Sequence, residues 1–286
     1  MRTLLAGLAA ALAVALPARA EPPVWVVRDA DSEIVLFGSV HVLPPGLKWR
    51  PAALDAALAR ADDLWFELPM DPASQAEVAS LAGYLGVLPP GQSLFTLLPP
   101  ADAKKLMTVA EAYGVDKASL TRLEPWLAEV ALAAAAYAKA GATTGNGVEL
   151  TISAAAPAAA RRRAFETPAE QMGFFDETPT AEQIASLRET IAELERDPGA
   201  YMKLVRAWMA GDTAGLEREA LEPMRKATPV IFRRLVTERN EAWARTLDAR
   251  LKGKGRTVVV VGVGHLVGAG GLPARLRALG YSVTGP

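Results

Sequence analysis

The sequence predicts an α/β protein. Its sheet is mixed, largely parallel and built from the N- and C-terminal segments, with a helical middle inserted between them. Three observations carry this. Runs of β-branched and aromatic residues occur only near the two ends, at Val24–Phe37, Leu64–Glu67 and Thr257–Val261. The middle carries helix formers at helical spacing with glycine stops. Finally, strand, helix and strand follow one another within the first mature segment, the order of a parallel unit.

The elements follow in order. "MRTLLAGLAAALAVALPARA" has one early positive charge, an apolar stretch and the small-x-small ending Ala18-Arg19-Ala20. It therefore reads as a cleavable signal peptide over 1–20, cut after Ala20, and implies a periplasmic or secreted protein. Val24 to Arg28 and Ile34 to Phe37 form a hairpin around Asp29-Ala30-Asp31-Ser32. A helix in "RPAALDAALARAD" leads to the strand Leu64 to Glu67, which Pro69 ends. The strands before His41 and at Glu67 are expected to pair in parallel. Helices follow in "PADAKKLMTVAEAYG" and "EPWLAEVALAAAAYAKAG", and a loop then a helix in "TTGNGVELTISAAAPAAA". "RRRAFETPAEQMGFF" gives a short strand ending near Glu166 and a helix after Pro168. Further helices run to about Gly253, among them "PVIFRRLVTERNEAWARTLDARLKG". The strand Thr257 to Val261, a glycine-rich turn, the helix of "LPARLRALG" and a last strand at "YSVTG" close the chain. The mature part, 21–286, is read as one domain with a helical insertion over about 99–253.

Composition excludes several classes of function. There is no cysteine in 286 residues, so thiol catalysis, disulfides and cysteine lipidation are ruled out. A net charge of −1 gives no electrostatic footprint for nucleic acid. After signal cleavage no stable membrane insertion is expected. The glycines of "VVVVGVGHLVGAGG" fail the dinucleotide fingerprint, since Val267 stands where a glycine is needed.

The chain has only two histidines, His41 in "LFGSVH" and His265 in "VVGVGH", and each lies three residues after a glycine at the end of an apolar run. Ligands of open α/β sheets bind at the carboxyl ends of the strands. If the two strands are neighbours, the imidazoles converge there, with each glycine letting the backbone turn sharply. Neutral imidazole ligates divalent transition metals. Glu67, a carboxylate closing an apolar strand, supplies either a third metal ligand, which leaves a position open for water, or a general base. Glu149 and Glu166, in loop or strand-end settings, could add a further ligand, an acid or a substrate contact, although each alone reads as a surface charge. Arg239 and Asn240 could stabilise an oxyanion or anchor a substrate carboxylate; alone they read as an ordinary helix face. Ser39 is set aside as a nucleophile because close neighbours on a strand end are expected to diverge.

The segments "LFGSVHVLP", "LWFELPMD", "LEPWLAE", "GVELTISAAA", "FETPAEQMGFF", "AWMAGD", "RNEAWARTLDARL" and "VVVVGVGHLVGAGGLPARLRALGYSVTGP" together resemble the TraB/GumN family, relatives of the Tiki proteins. The resemblance implies an α/β fold shared with erythromycin-esterase-like and haem-binding ChaN-like proteins, with both G-x-x-H motifs and a glutamate lining one site. Tiki proteins are metal-dependent proteases with Mn or Co as the metal, so a divalent transition metal is the implied cofactor. Carried over, the metal ligands fall on His41, His265 and Glu67, and further motif positions on Glu166, Gln171, Arg239 and Asn240. Glu149 stands where relatives often carry Asp.

The leading expectation is a metal-dependent hydrolase of the bacterial envelope, acting on a peptide or amide bond of a peptide or other small envelope substrate. In it His41, His265, Glu67 and Arg239 are catalytic, and Glu149, Glu166 and Asn240 bind substrate. The alternative is a non-catalytic haem-, metal- or glycan-binding protein using the same site. A third reading makes the helical middle a docking module.

Overall fold

In a computed structural model of the chain, which describes residues 20–286, six strands form one sheet in the order β4-β3-β5-β2-β1-β6. They are β1 (Val24–Arg28), β2 (Ser32–Ser39), β3 (Asp63–Phe66), β4 (Arg161–Ala164), β5 (Gly255–Gly262) and β6 (Ser282–Thr284). The β4, β3, β5 and β2 strands run parallel, while β1 is antiparallel to both β2 and β6. The two ends of the chain thus share one sheet, Val27 opposite Val283. The leader expected over 1–20 lies, Ala20 apart, outside the described residues. Among the described residues no helix is long and apolar enough to cross a membrane.

One pairing differs from the sequence reading. β2 and β3 are parallel but not neighbours, because β5 is inserted between them. Its near-continuous valine run explains this: Val258 to Val261 are all buried, as a strand flanked on both sides and covered on both faces must be.

The helices make two layers with separate cores. Helix residues Trp208, Trp243, Leu247 and Leu251 pack with the sheet residues Phe37, Leu64 and Val260 in one cluster. Leu88, Leu106, Val109, Leu132, Leu187 and Ile191 form a second, wholly helical cluster. The insertion over about 99–253 is therefore not one block: β4 interrupts it, and its last helix belongs to the sheet core.

The segment from Pro229 is continuous but not uniformly α-helical. Pro229–Phe232 is followed by π-helical turns over Arg233–Glu238, and then by the α-helix Arg239–Leu251. Such widened turns recur at functional sites, and this one ends at Arg239-Asn240.

Candidate functional site

β2 and β5 pair in register to their last residues, Ser39 opposite Gly262. Each then delivers its histidine over the carboxyl end of the sheet, His265 from the 3₁₀ turn Val263–His265. Glu67 follows β3 directly on the other flank of β5, and Glu166 follows β4. Parallel strands ending at one level thus bring four distant segments to a single rim.

The glycines serve a different purpose from the one expected. Gly262 has φ −49° and ψ 133°, a conformation open to any residue, and Gly38 lies inside β2 without a positive φ. What Gly262 provides is room. A Cβ there would stand 3.2 Å from Glu67 Oε1, 3.7 Å from His41 Nε2 and 3.7 Å from His265 Cδ2. The three side chains singled out by the sequence converge on that spot. Gly38 provides close approach instead, since a Cβ would meet Val263 Cγ2 at 2.7 Å.

Behind the rim, Arg239 organises the charges. It is 7 % exposed, and all five of its N–H donors are used. Nε donates to Glu166 Oε1 (2.7 Å), and Nη2 to Glu67 Oε2 (2.6 Å) and Glu166 Oε2 (2.8 Å). Nη1 donates to Leu235 O in the π-helical turn (3.1 Å) and faces His265 Nε2 at 3.2 Å. Glu166 is equally engaged, accepting also from Trp243 Nε1 (3.0 Å) and Gln171 Nε2 (3.2 Å). Arg239 was expected as a catalytic group and Glu166 as a substrate contact, although each alone reads as a surface residue. They are buried because each satisfies the other, which is how a charge survives in a protein interior.

This network fixes the proton on His265. Arginine cannot accept, so Nε2 must carry the lone pair toward Nη1, and the proton sits on Nδ1. Nδ1 then donates to Asn240 Oδ1 at 2.7 Å, and Asn240 Nδ2 donates to Gly270 O at 3.0 Å. Burial, reinforced by Arg239 and His41, pushes the His265 pKa down to about 3. The ring is neutral at physiological pH.

His41 is held in the opposite state. Its Nδ1 lies 2.6 Å from Glu149 Oε1, which also accepts from Ser39 Oγ at 2.6 Å. The Glu149 carboxylate raises the His41 pKa to about 9 against the effect of burial. With 68 % of the side chain exposed, solvent screens part of that attraction. Two local expectations change here. Glu149 lies in the first turn of the helix Val148–Ala155, not in a loop. Ser39 and His41 do not diverge, because residues two apart at a strand end face the same side. The helix starts hard against β2: Val148 N donates to Val40 O, and Gly147 touches the His41 carbonyl where any side chain would clash.

Glu67 remains ionised. Burial raises its pKa, but Arg239, the two histidines and the Gly262 N–H overcome this and hold it down to about 2. Its Oε1 accepts from Gly262 N (2.7 Å) and lies 3.9 Å from His265 Nε2. With one lone pair of Oε1 still unused, Glu67 keeps an acceptor beside the ring of the exposed His41.

A scan along the chain matches the TraB/PrgY/gumN family model over residues 23–285. The chain belongs to this family. No curated protein and no solved structure matches it.

Of the residues proposed from sequence, the site unites His41, His265, Glu67, Glu166, Arg239, Asn240, Gln171 and Glu149. Asn240 is fully buried behind His265, and both ends of its amide are taken. Trp243 was missed. Its ring lies 4.4 Å from that of His265 and 4.6 Å under the Arg239 guanidinium. Its signal was available in the spacing, since it stands four residues after Arg239 at the head of the buried stripe Trp243-Leu247-Leu251.

The donor set was tested against a divalent transition metal. Among the described residues no three His, Cys, Asp or Glu side chains form a ready-made cage. The chemistry nevertheless fits. Both imidazoles are fixed through Nδ1 by an oxygen acceptor and turn Nε2 inward, the usual arrangement of metal-bound histidine. Ionised Glu67 Oε1 stands beside them. To ligate a metal, His265 Nε2 would have to give up its contact with Arg239 Nη1.

Proposed function

We propose that this protein is a metal-dependent hydrolase of the bacterial envelope that cleaves a peptide or amide bond. The observation that supports it best is the convergence of His41 Nε2, His265 and Glu67 Oε1 on the space above Gly262. His41 and His265 would hold the metal, Mn or Co on the family resemblance, with Glu67 either a third ligand or the general base. A metal there would polarise a carbonyl and lower the pKa of a bound water.

The chain's own groups divide the remaining work. Glu67 Oε1, with a lone pair free, is placed to take a proton from an attacking water. The proton taken by Glu67 can then pass to the leaving amine, while His41, at the exposed edge of the site, serves as a ligand. Arg239 has no donor left for a substrate; it positions Glu67 and keeps that carboxylate ionised. Glu166, Gln171 and Trp243 hold Arg239, while Asn240 and Glu149 orient the two histidines. The residues first read as substrate contacts therefore act through other groups.

Elemental analysis of the mature protein, purified without chelators, tests the proposal together with a chelator-reversible peptidase assay. One transition metal per chain, lost with turnover in His265→Ala, is expected. Unchanged metal content in that variant would sink it.

A second reading rests on the exposure of His41. A single accessible imidazole beside a buried one could ligate haem, a metal or an envelope glycan without hydrolysis. A Soret shift on adding haem, lost in His41→Ala and with no hydrolysis under any metal, would favour that reading.

A further inference from the structure

A second cleft lies at the other end of the sheet, where β3, β4 and β5 begin. Its volume is about 850 Å³, and its walls include Asp63 and Trp65 of β3, Arg161 and Arg163 of β4, and Arg245 and Arg250 of the last long helix, with Lys254 at the rim. Five cations thus surround one carboxylate in a protein whose net charge is −1. So local an excess of cations creates a positive field over the cleft.

Asp63 is 1 % exposed and cannot balance these charges. Arg161 takes it in a bidentate pair through Nε and Nη2, both at 2.8 Å, and Arg163 Nε reaches the same carboxylate at 3.2 Å. Arg250 Nη2 lies 3.2 Å from Asp63 Oδ2 but lacks hydrogen-bond geometry. Among the described residues Arg250 Nε and Nη2 and Trp65 Nε1 are buried N–H groups without a hydrogen-bond acceptor, which native interiors rarely leave. Two further acids flank the cluster without neutralising it: Asp62 accepts from Arg256 N and lies near Arg161 and Arg250, and Asp31 meets Lys254 at 3.4 Å on the surface. Arg245 forms no ion pair with an acid among the described residues.

We infer that this cleft binds a phosphate-bearing ligand. Guanidinium forks match phosphate oxygens two at a time, and several converging on one hollow favour a multiply charged anion over a lone carboxylate. The ligand is either a free phosphoester or the phosphate of an anionic lipid headgroup. The proposal does not depend on the hydrolase reading, because the two hollows lie at opposite ends of the strands.

The test is calorimetric titration of the mature protein with inorganic phosphate and pyrophosphate in low-salt, phosphate-free buffer. In parallel, co-sedimentation is measured with phosphatidylglycerol–phosphatidylcholine vesicles and with phosphatidylcholine alone. Saturable binding is expected, weakened about tenfold or more in Arg245→Ala/Lys254→Ala, where neither residue touches Asp63. Ala249→Glu puts a carboxylate on an exposed wall position without removing an ion pair, and should weaken binding as much. Binding of phosphates without vesicles identifies a free phosphoester, and binding of both identifies a headgroup. Phosphate binding should persist in His265→Ala. Absence of saturable binding to phosphate, pyrophosphate and vesicles alike, or equal binding by both variants, overturns the inference.

Discussion

Replacing Gly262 by alanine should separate folding from function. The backbone at Gly262 already suits an L-residue, so no conformational strain is introduced. Loss of glycine restricts the unfolded chain, a gain of about 0.4–1 kcal/mol. The new methyl stands 3.2 Å from Glu67 Oε1, so a few tenths of an ångström must be relieved, costing about 1–2 kcal/mol as mild overpacking. The net cost is then about 1 kcal/mol. The functional effect is far larger, because the same methyl fills the space between Glu67 Oε1 and the two imidazoles. Mn or Co affinity should fall by more than about 100-fold, beyond the roughly 10–100-fold typical of disturbing only the outer support of a metal ligand. Gly38→Ala is the contrast: its Cβ would lie 2.7 to 3.0 Å from the side chain and Cα of Val263, destabilising the fold by about 1–3 kcal/mol. Urea unfolding and calorimetric metal titration of both variants give the comparison. A Gly262→Ala protein that binds metal as the parent does would refute the placement of the site.

Other outcomes follow from the same geometry. Glu166→Gln keeps the shape but offers acceptors on one oxygen only, where four N–H groups now bond; Arg239 keeps Glu67 but loses one of its two carboxylate partners, and unfolding should show a loss of about 1–3 kcal/mol. Asn240→Ala removes the acceptor for His265 Nδ1 and should cost about 1–3 kcal/mol in stability and roughly 10–100-fold in metal affinity, read by denaturation and titration. Because the His41 pKa is near 9, binding a divalent metal at neutral pH should release a proton from His41 and none from His265; titrations in buffers of different ionisation enthalpy would show it. Stability should fall on acidification. His265 is depressed to about 3, so only the unfolded chain takes its proton from pH 6.5 downward, and Glu67 adds to the loss between 4.5 and about 2. The His41 contribution, complete below pH 6.5, is lost as pH rises through about 9, on a shallower limb because the ring is exposed. A flat stability profile from pH 6.5 to 4 would contradict this.

Much of this site could be read from the sequence. His41 and His265 were recognisable because each closely follows an apolar strand, and parallel neighbours whose ends lie at one level bring both to the same rim, although the two glycines are offset by one residue in register. Glu67 was visible as a carboxylate closing an apolar strand. The parts that stayed hidden depend on what lies between strands. The insertion of β5 between β2 and β3 is a choice among parallel partners that local pattern does not encode, although the four buried valines hinted at a central strand. The burial of Arg239 and Asn240 was hidden for a different reason. On a helix wheel they lie in phase with Trp243, Ala244, Leu247 and Leu251, so the apolar stripe begins with two polar residues. Taken singly they resemble a solvated face; taken with the stripe they mark a polar network facing the core, and Glu166 is the partner that makes it affordable.

The two histidines show why symmetry of motif does not bring symmetry of role. Each follows its glycine by three residues, yet one is neutral and enclosed while the other is charged and open. The difference comes from what accepts the Nδ1 proton. An uncharged amide, Asn240, holds His265, and the Arg239 guanidinium beside it opposes any further positive charge. A carboxylate, Glu149, holds His41 and favours the imidazolium. Environments that drive like groups to opposite charge states are a device for dividing acid from base within one site. His265 is thereby equipped to remain an unprotonated ligand across the physiological range. His41 carries a proton that it must give up to bind a metal, and Glu67 beside both rings supplies a fixed negative charge.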